Sequence, residues 1–143
     1  MFAFVWPENK QACGETIKGN SILVVDDVEI VFAAFRGELE KEGYEVDTAL
    51  SGKKALEKVR SKKYDLIFMD LFMPGMDGVQ TCRAIKQASP DSIIVSVTGQ
   101  IYTGLADKEL DFINAGGAVH FLYKPFLEGE ILKVTRKVLP QRN

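Results

Sequence analysis

Tyr64-Asp65-Leu66-Ile67-Phe68-Met69-Asp70 runs directly into Leu71-Phe72-Met73-Pro74-Gly75-Met76-Asp77-Gly78. The run from Asp65 to Met69 is short and almost wholly apolar, which predicts a strand buried on both faces and so central in a parallel sheet. The second half cannot extend it. Pro74, Gly75 and Gly78 exclude both helix and strand, so residues 71–78 read as a loop of specified shape. Asp70 stands where a buried strand stops and that loop begins.

The same arrangement recurs along the chain. Ser21-Ile-Leu-Val-Val25 stops at Asp26-Asp27, Ile93-Ile-Val-Ser-Val97 at Thr98, and Val119-His-Phe-Leu-Tyr123 at Lys124. A further strand is expected over about Glu45 to Ala49. Segments of helical period separate these runs, the βαβ rhythm of a parallel sheet covered on both faces. The first helix is expected over Glu29 to Glu42, with Val28, Val31, Phe32, Phe35 and Leu39 as its apolar stripe and Gly43 ending it. Ser51 should cap the second, which buries Ala55, Leu56 and Val59. The third turns Val79, Cys82 and Ile85 inward. A modest fourth spans about Asp107 to Ala115, with Leu110, Phe112 and Ile113 apolar. The last runs from about Leu127 to Leu139. Five strands and five helices in strict alternation make a doubly wound α/β domain over residues 21–139, with an extension at 1–20 and a tail at 140–143.

Bulk properties narrow the function. A chain of 143 residues, 46% apolar and 27% charged, has the size and mixture of one soluble domain. Its formal net charge of −2 gives no basic field, so direct nucleic-acid binding is not expected. Cys13 and Cys82 lack metal-ligand spacing and read as reduced thiols. No apolar run approaches the ~18 residues of a membrane-spanning helix, and the hydrophobic start at Met1 to Trp6 is too short for a signal-peptide core. A cytoplasmic location is the expectation.

In an open parallel sheet, ligands bind beyond the carboxyl ends of the strands. Asp26, Asp27 and Asp70 arrive there from two strands. Carboxylates in close proximity repel and drive one pKa upward unless a cation sits among them, and Mg²⁺ with oxygen ligands suits that need. An Asp carboxylate can also act as a nucleophile and form an acyl phosphate. Lys124 offers a point charge for a phosphoryl oxygen, and Thr98 a hydroxyl. Each has a plainer reading: Asp26 or Asp27 as a helix cap, Lys124 as a solvated surface lysine, Thr98 as a β-branched strand end. The set of five points to chemistry where no member does alone.

Val24-Val-Asp-Asp27, Tyr64 through Gly78, Val97-Thr-Gly99 and Lys124-Pro-Phe126 together resemble the receiver domain of two-component response regulators, over about Ser21 to Leu139. The resemblance implies a flavodoxin-like fold with strand order 2-1-3-4-5. It implies that a sensor histidine kinase, or a histidine phosphotransfer domain, passes a phosphoryl group to Asp70. Asp27, Asp70 and the backbone carbonyl of Phe72 would then bind Mg²⁺ directly, with Asp26 acting mainly through water. Lys124 would contact the phosphoryl group. Thr98 and Phe121 would be the switch pair, biasing a surface made by helix four, strand five and helix five toward an output partner. Such a domain catalyses only its own phosphorylation and dephosphorylation.

Several positions depart from the pattern. Thr98 to Lys124 spans 26 residues, so the segment between them is enlarged. Phe72 places a bulky ring two positions after the acceptor, where many relatives carry a polar group; with Gln100 it faces the path of hydrolytic water. Phe121 has no hydroxyl, so a switch there works through ring packing, and Tyr123 on the same face packs at the edge. His120 lies in the fifth strand and reads as structural. Two other functions share these elements: a binding module that signals without phosphorylation, which should lack an acidic residue or the lysine, and an Asp-nucleophile phosphohydrolase, which wants an Asp at position 72. Phe2, Phe4, Val5 and Trp6 should pack on the domain or on a neighbour, a second copy of the chain included. The chain is expected to be either a single-domain regulator or a receiver cut from a longer protein.

Overall fold

The computed structural model describes residues 20–99 and 103–139. The strands are β1 (Ser21–Val25), β2 (Glu45–Ala49), β3 (Leu66–Asp70), β4 (Ile93–Thr98) and β5 (Phe121–Tyr123). They alternate with α1 (Val31–Leu39), α2 (Gly52–Ser61), α3 (Gly78–Ala88), α4 (Leu105–Asn114) and α5 (Glu130–Val138), and a 3₁₀ turn at Glu40–Glu42 follows α1. All pairings are parallel and the order is β2-β1-β3-β4-β5, the flavodoxin-like arrangement. β3 lies in the middle of the sheet and every one of its five residues is buried.

Alternation along the strands divides the core. Leu23, Val25, Ile67, Met69 and Ile94 pack under α2, α3 and α4 against Val59, Cys82, Ile85 and Phe112. Ile22, Val24, Phe68, Val95, Val97 and Leu122 pack under α1 and α5 against Phe32, Phe35 and Ile131. On that second face Phe35 meets Phe68 at 4.9 Å between ring centroids and Phe126 at 5.3 Å, both tilted as aromatic pairs prefer.

Local chemistry sets the helix boundaries, and here the expectations need correction. Val28 is not in the apolar stripe of α1. The Asp26 carboxylate accepts the backbone N–H of Val28 at 2.8 Å, bending the chain after β1, so the helix begins at Val31 and Val28 is exposed. Neither Asp26 nor Asp27 caps α1, whose N-cap is Ile30. Gly43 does end this segment, with φ of 91°. Ser51 caps α2 by accepting Lys54 N–H at 3.1 Å. Gly78 is helical rather than part of the preceding loop, since Asp77 and Gln80 form a capping box at the start of α3. The last helix starts at Glu130, not Leu127: Gly129, at φ of 83°, breaks the segment and leaves Leu127 exposed. α4 begins two residues earlier than expected and exposes Leu110 while burying Phe112. β5 is shorter than expected. Val119 is exposed and His120 precedes the strand instead of lying in it.

The extension at 1–19, Gln100 and the tail at 140–143 lie outside the described residues, so the expectations for Phe2, Phe4, Val5, Trp6, Cys13 and Gln100 concern positions not described. No described helix is long and apolar enough to cross a membrane.

Gly78 is the tightest backbone approach near Asp70. A Cβ there would sit 2.4 Å from the carbonyl oxygen of Asp70 and 2.7 Å from Leu71 Cα. Both neighbours are backbone and cannot rotate away, so Gly78→Ala is expected to destabilise the domain by about 1–3 kcal/mol, as overpacking does. Chemical denaturation of the two proteins measures it.

Candidate functional site

β1 and β3 are adjacent and in register, Val25 opposite Met69, so the residues that follow reach the same edge. That juxtaposition brings Asp26, Asp27 and Asp70 together. One carboxylate oxygen from each lies within 4.8 Å of the others. Asp26 and Asp70 are buried, at 1% and 4% exposure, while Asp27 is exposed. The cluster thus has two walls in the protein and one toward water.

Lys124 completes it from the far side. Its backbone N–H bonds to Thr98 O at 2.8 Å beyond the end of the β4–β5 ladder, and its stem runs alongside Gly99, where a Cβ would meet it at 3.4 Å. The ammonium lies 2.6 Å from Asp26 Oδ2 and 3.8 Å from Asp70 Oδ2. The Lys124–Pro125 peptide bond is cis. With two carboxylates in reach of its ammonium, Lys124 is not a free surface amine.

The Asp70 carboxyl is pushed up to about 6, first by burial and next by the neighbouring Asp26 charge, against the opposing pull of Lys124. Its Oδ1 accepts the N–H of Phe72 at 3.2 Å, and its Oδ2 faces Lys124. A hard divalent cation among the three carboxylates would relieve this repulsion, and an all-oxygen donor set with an open, water-facing side fits Mg²⁺.

Thr98 is fully buried at the end of β4. It pairs with Tyr123, and Ser96 with Phe121. Phe121 is half-buried, so its ring has room to become more covered. The Ser96 hydroxyl is buried with no hydrogen-bond partner among the described residues. Tyr123 lies at the edge as expected, its hydroxyl donating to Glu109 of α4 at 2.6 Å. Cys82 is a buried free thiol pushed up to about 11 by its burial, which keeps it protonated.

Two residues beside the site escaped the sequence reading. Asp77 caps α3 through Oδ1, which accepts Gln80 N–H at 2.9 Å, and its Oδ2 lies 2.7 Å from Lys108 Nζ. The cap had a signal, Asp followed three residues later by Gln. The ion pair had none, because Lys108 belongs to another helix. The Lys108 ammonium also stands 5.9 Å from the centroid of the Phe72 ring.

Comparison with known proteins agrees with this geometry. Residues 22–136 match the response regulator receiver domain family. Response regulator ArlR of Staphylococcus saprophyticus is 37% identical over 126 residues, covering 85% of this chain and 54% of that protein. The chain spans about half the length of the curated relatives it matches. Among solved structures, Vibrio cholerae chemotaxis protein CheY4 superposes with a TM-score of 0.76 at 28% identity, covering 85% of this chain and all of that one. A Burkholderia pseudomallei response regulator with a phosphorylated aspartic acid, calcium ion and citrate superposes with a TM-score of 0.69 at 26% identity, over 79% of this chain and 64% of that one. With the sheet order, the acidic edge and these likenesses in agreement, the chain belongs to the receiver domain family of two-component response regulators.

Proposed function

We propose that Asp70 accepts a phosphoryl group from the phosphohistidine of a sensor histidine kinase or phosphotransfer domain, with Mg²⁺ held by Asp26, Asp27, Asp70 and the backbone carbonyl of Phe72. The observation that carries this reading is the convergence of three carboxylate oxygens within 4.8 Å beside an amine 3.8 Å from Asp70. The phosphorylated aspartic acid and calcium ion of the Burkholderia pseudomallei relative support it. Bound Mg²⁺ supplies charge compensation for the phosphoryl oxygens.

The protein's own groups do the rest. Asp70 Oδ1 is engaged by Phe72 N–H, which leaves Oδ2, on the Lys124 side, to attack phosphorus. An O–P bond forms, the P–N bond to the donor imidazole breaks, and the electron pair leaves with the imidazole nitrogen. Lys124 then exchanges part of its contact with Asp26 for a phosphoryl oxygen, a short swing given its two present distances. Thr98 turns its hydroxyl toward another oxygen. Phe121 moves inward beside Ser96, whose small side chain leaves it space. The surface of α4, β5 and α5 changes as a result and is read by an output partner, a second copy of the chain among them. This reading places the reaction in the cytoplasm, and the domain turns over no other substrate.

Three outcomes test this. Incubation with acetyl phosphate and Mg²⁺ should add the mass of one phosphoryl group to the intact protein, with no gain in Asp70→Asn or without divalent cation; a gain that persists in Asp70→Asn overturns the assignment. The raised Asp70 pKa also makes a statement about stability without metal. Protonated Asp70 stabilises the fold below the ordinary carboxylate range near pH 4, and that contribution is lost as pH rises through about 6. Between pH 4 and 7 the metal-free wild type should therefore lose stability relative to Asp70→Asn, by roughly 2–3 kcal/mol. Millimolar Mg²⁺ should recover it in the wild type alone, as thermal melts of both proteins will read. Finally, on this reading the Phe72 side chain, two residues after the acceptor, hinders water, so Phe72→Asn should shorten the lifetime of the acyl phosphate several-fold; an unchanged rate of loss removes that role.

A further inference from the structure

Lys108 leaves the early part of α4, where its backbone N–H bonds to Gly104 O, and its ammonium reaches the loop that follows Asp70. There it meets both ends of that loop. At the far end it pairs with Asp77 Oδ2 at 2.7 Å, and at the near end it stands over the Phe72 ring, 5.9 Å from the centroid. The Lys108 and Asp77 side chains are each only 27% exposed. Asp77 cannot easily follow a moving lysine, because Oδ1 is held by Gln80 N–H at the start of α3. The Asp77 carboxyl lies below its usual range: burial raises it, but the Gln80 N–H and Lys108 outweigh burial.

The backbone of Phe72 is equally constrained. Its N–H is bound to Asp70 Oδ1, and its half-buried side chain packs against the core under α2, α3 and α4. A cation within about 6 Å of a ring face is attracted to it, and Lys108, anchored by Asp77, occupies that position. We propose that Lys108 is a positioning residue for the chemistry at Asp70: its ammonium, fixed by Asp77, holds the Phe72 ring as a wall beside the carboxylate and so sets how fast water reaches the acyl phosphate. The proposal rests on Asp70 being the phosphoacceptor. It extends that reading to α4, since the helix that carries the wall's support is part of the surface that changes on phosphorylation. A displacement of α4 would loosen the ring and shorten the signal; a partner that holds α4 in place would lengthen it.

The experiment follows loss of the phosphoryl group after excess acetyl phosphate is removed, in wild type, Lys108→Ala, Lys108→Arg and Asp77→Asn, each with its melting temperature. Lys108→Ala should lose the group about two- to fivefold faster, the rate equivalent of one exposed cation–ring contact. Lys108→Arg should restore the wild-type rate, because a guanidinium both stacks on a ring and binds a carboxylate. Asp77→Asn keeps the helix cap but removes the anchoring charge and should accelerate loss in the same direction. The decisive arm repeats Lys108→Ala in a Phe72→Ala background, where it should have no further effect. If Lys108 only braces α3 to α4, the acceleration persists there in proportion to lost stability. That result, or an unchanged rate in the single variant, overturns the proposal while the phosphoacceptor reading stands. Absence of phosphoryl uptake by wild type overturns both.

Discussion

Two buried carboxylates are held side by side by a backbone ladder that cannot release them. Asp26 follows β1 and Asp70 ends β3, two strands whose register is fixed over four residue pairs, and each strand has a partner on both sides. Coulomb repulsion would separate such groups in a flexible chain; here separation means breaking sheet hydrogen bonds and exposing the apolar residues beneath them. The repulsion is instead met by Lys124 at 2.6 Å from one partner and 3.8 Å from the other, and by loop N–H groups of Val28 and Phe72. Asp70 still carries a raised pKa, set first by its burial and next by the Asp26 charge. A bound cation is a further way of balancing that charge. The binding chemistry follows from the sheet.

The elements around the edge explain why a change of charge there need not stay local. Gly78 lets α3 start against the backbone of Asp70 and Leu71, so Asp70 and the helix share one contact surface. Asp77 ties that helix start to α4 through Lys108. On the other face Glu38 of α1 accepts N–H groups of Gly129 and Leu132, both at 3.0 Å, pinning the start of α5. Arg136 of α5 pairs with Glu42 at 2.9 Å on a more exposed surface, where such pairs contribute little.

The strands were readable because buried parallel strands leave a strong local mark: short apolar runs ended by polar residues, as in β1, β3 and β4. Helix interiors were readable for a similar reason, since Phe32, Phe35, Val79, Cys82 and Ile85 repeat at helical spacing and are buried. Helix starts were less so. Val28 and Leu127 fit the apolar pattern yet are exposed, because the Asp26–Val28 turn and the positive φ of Gly129 decide where each helix begins. Hydrophobicity says which residues benefit from burial. Backbone hydrogen bonding at the ends decides which are granted it.

By itself, the order of residues determined the alternation of strands and helices, the positions of Asp26, Asp27, Asp70, Thr98 and Lys124 at strand ends, and the irregular loop after Asp70. All of these depend on neighbours a few residues away, whose propensities act locally. Only the tertiary structure decided that Lys124 lies closer to Asp26 than to Asp70, that burial lifts the Asp70 pKa, and that Lys108 stands over Phe72. These are distances between groups far apart in the chain. They are set by sheet register and helix packing, and no local pattern encodes them.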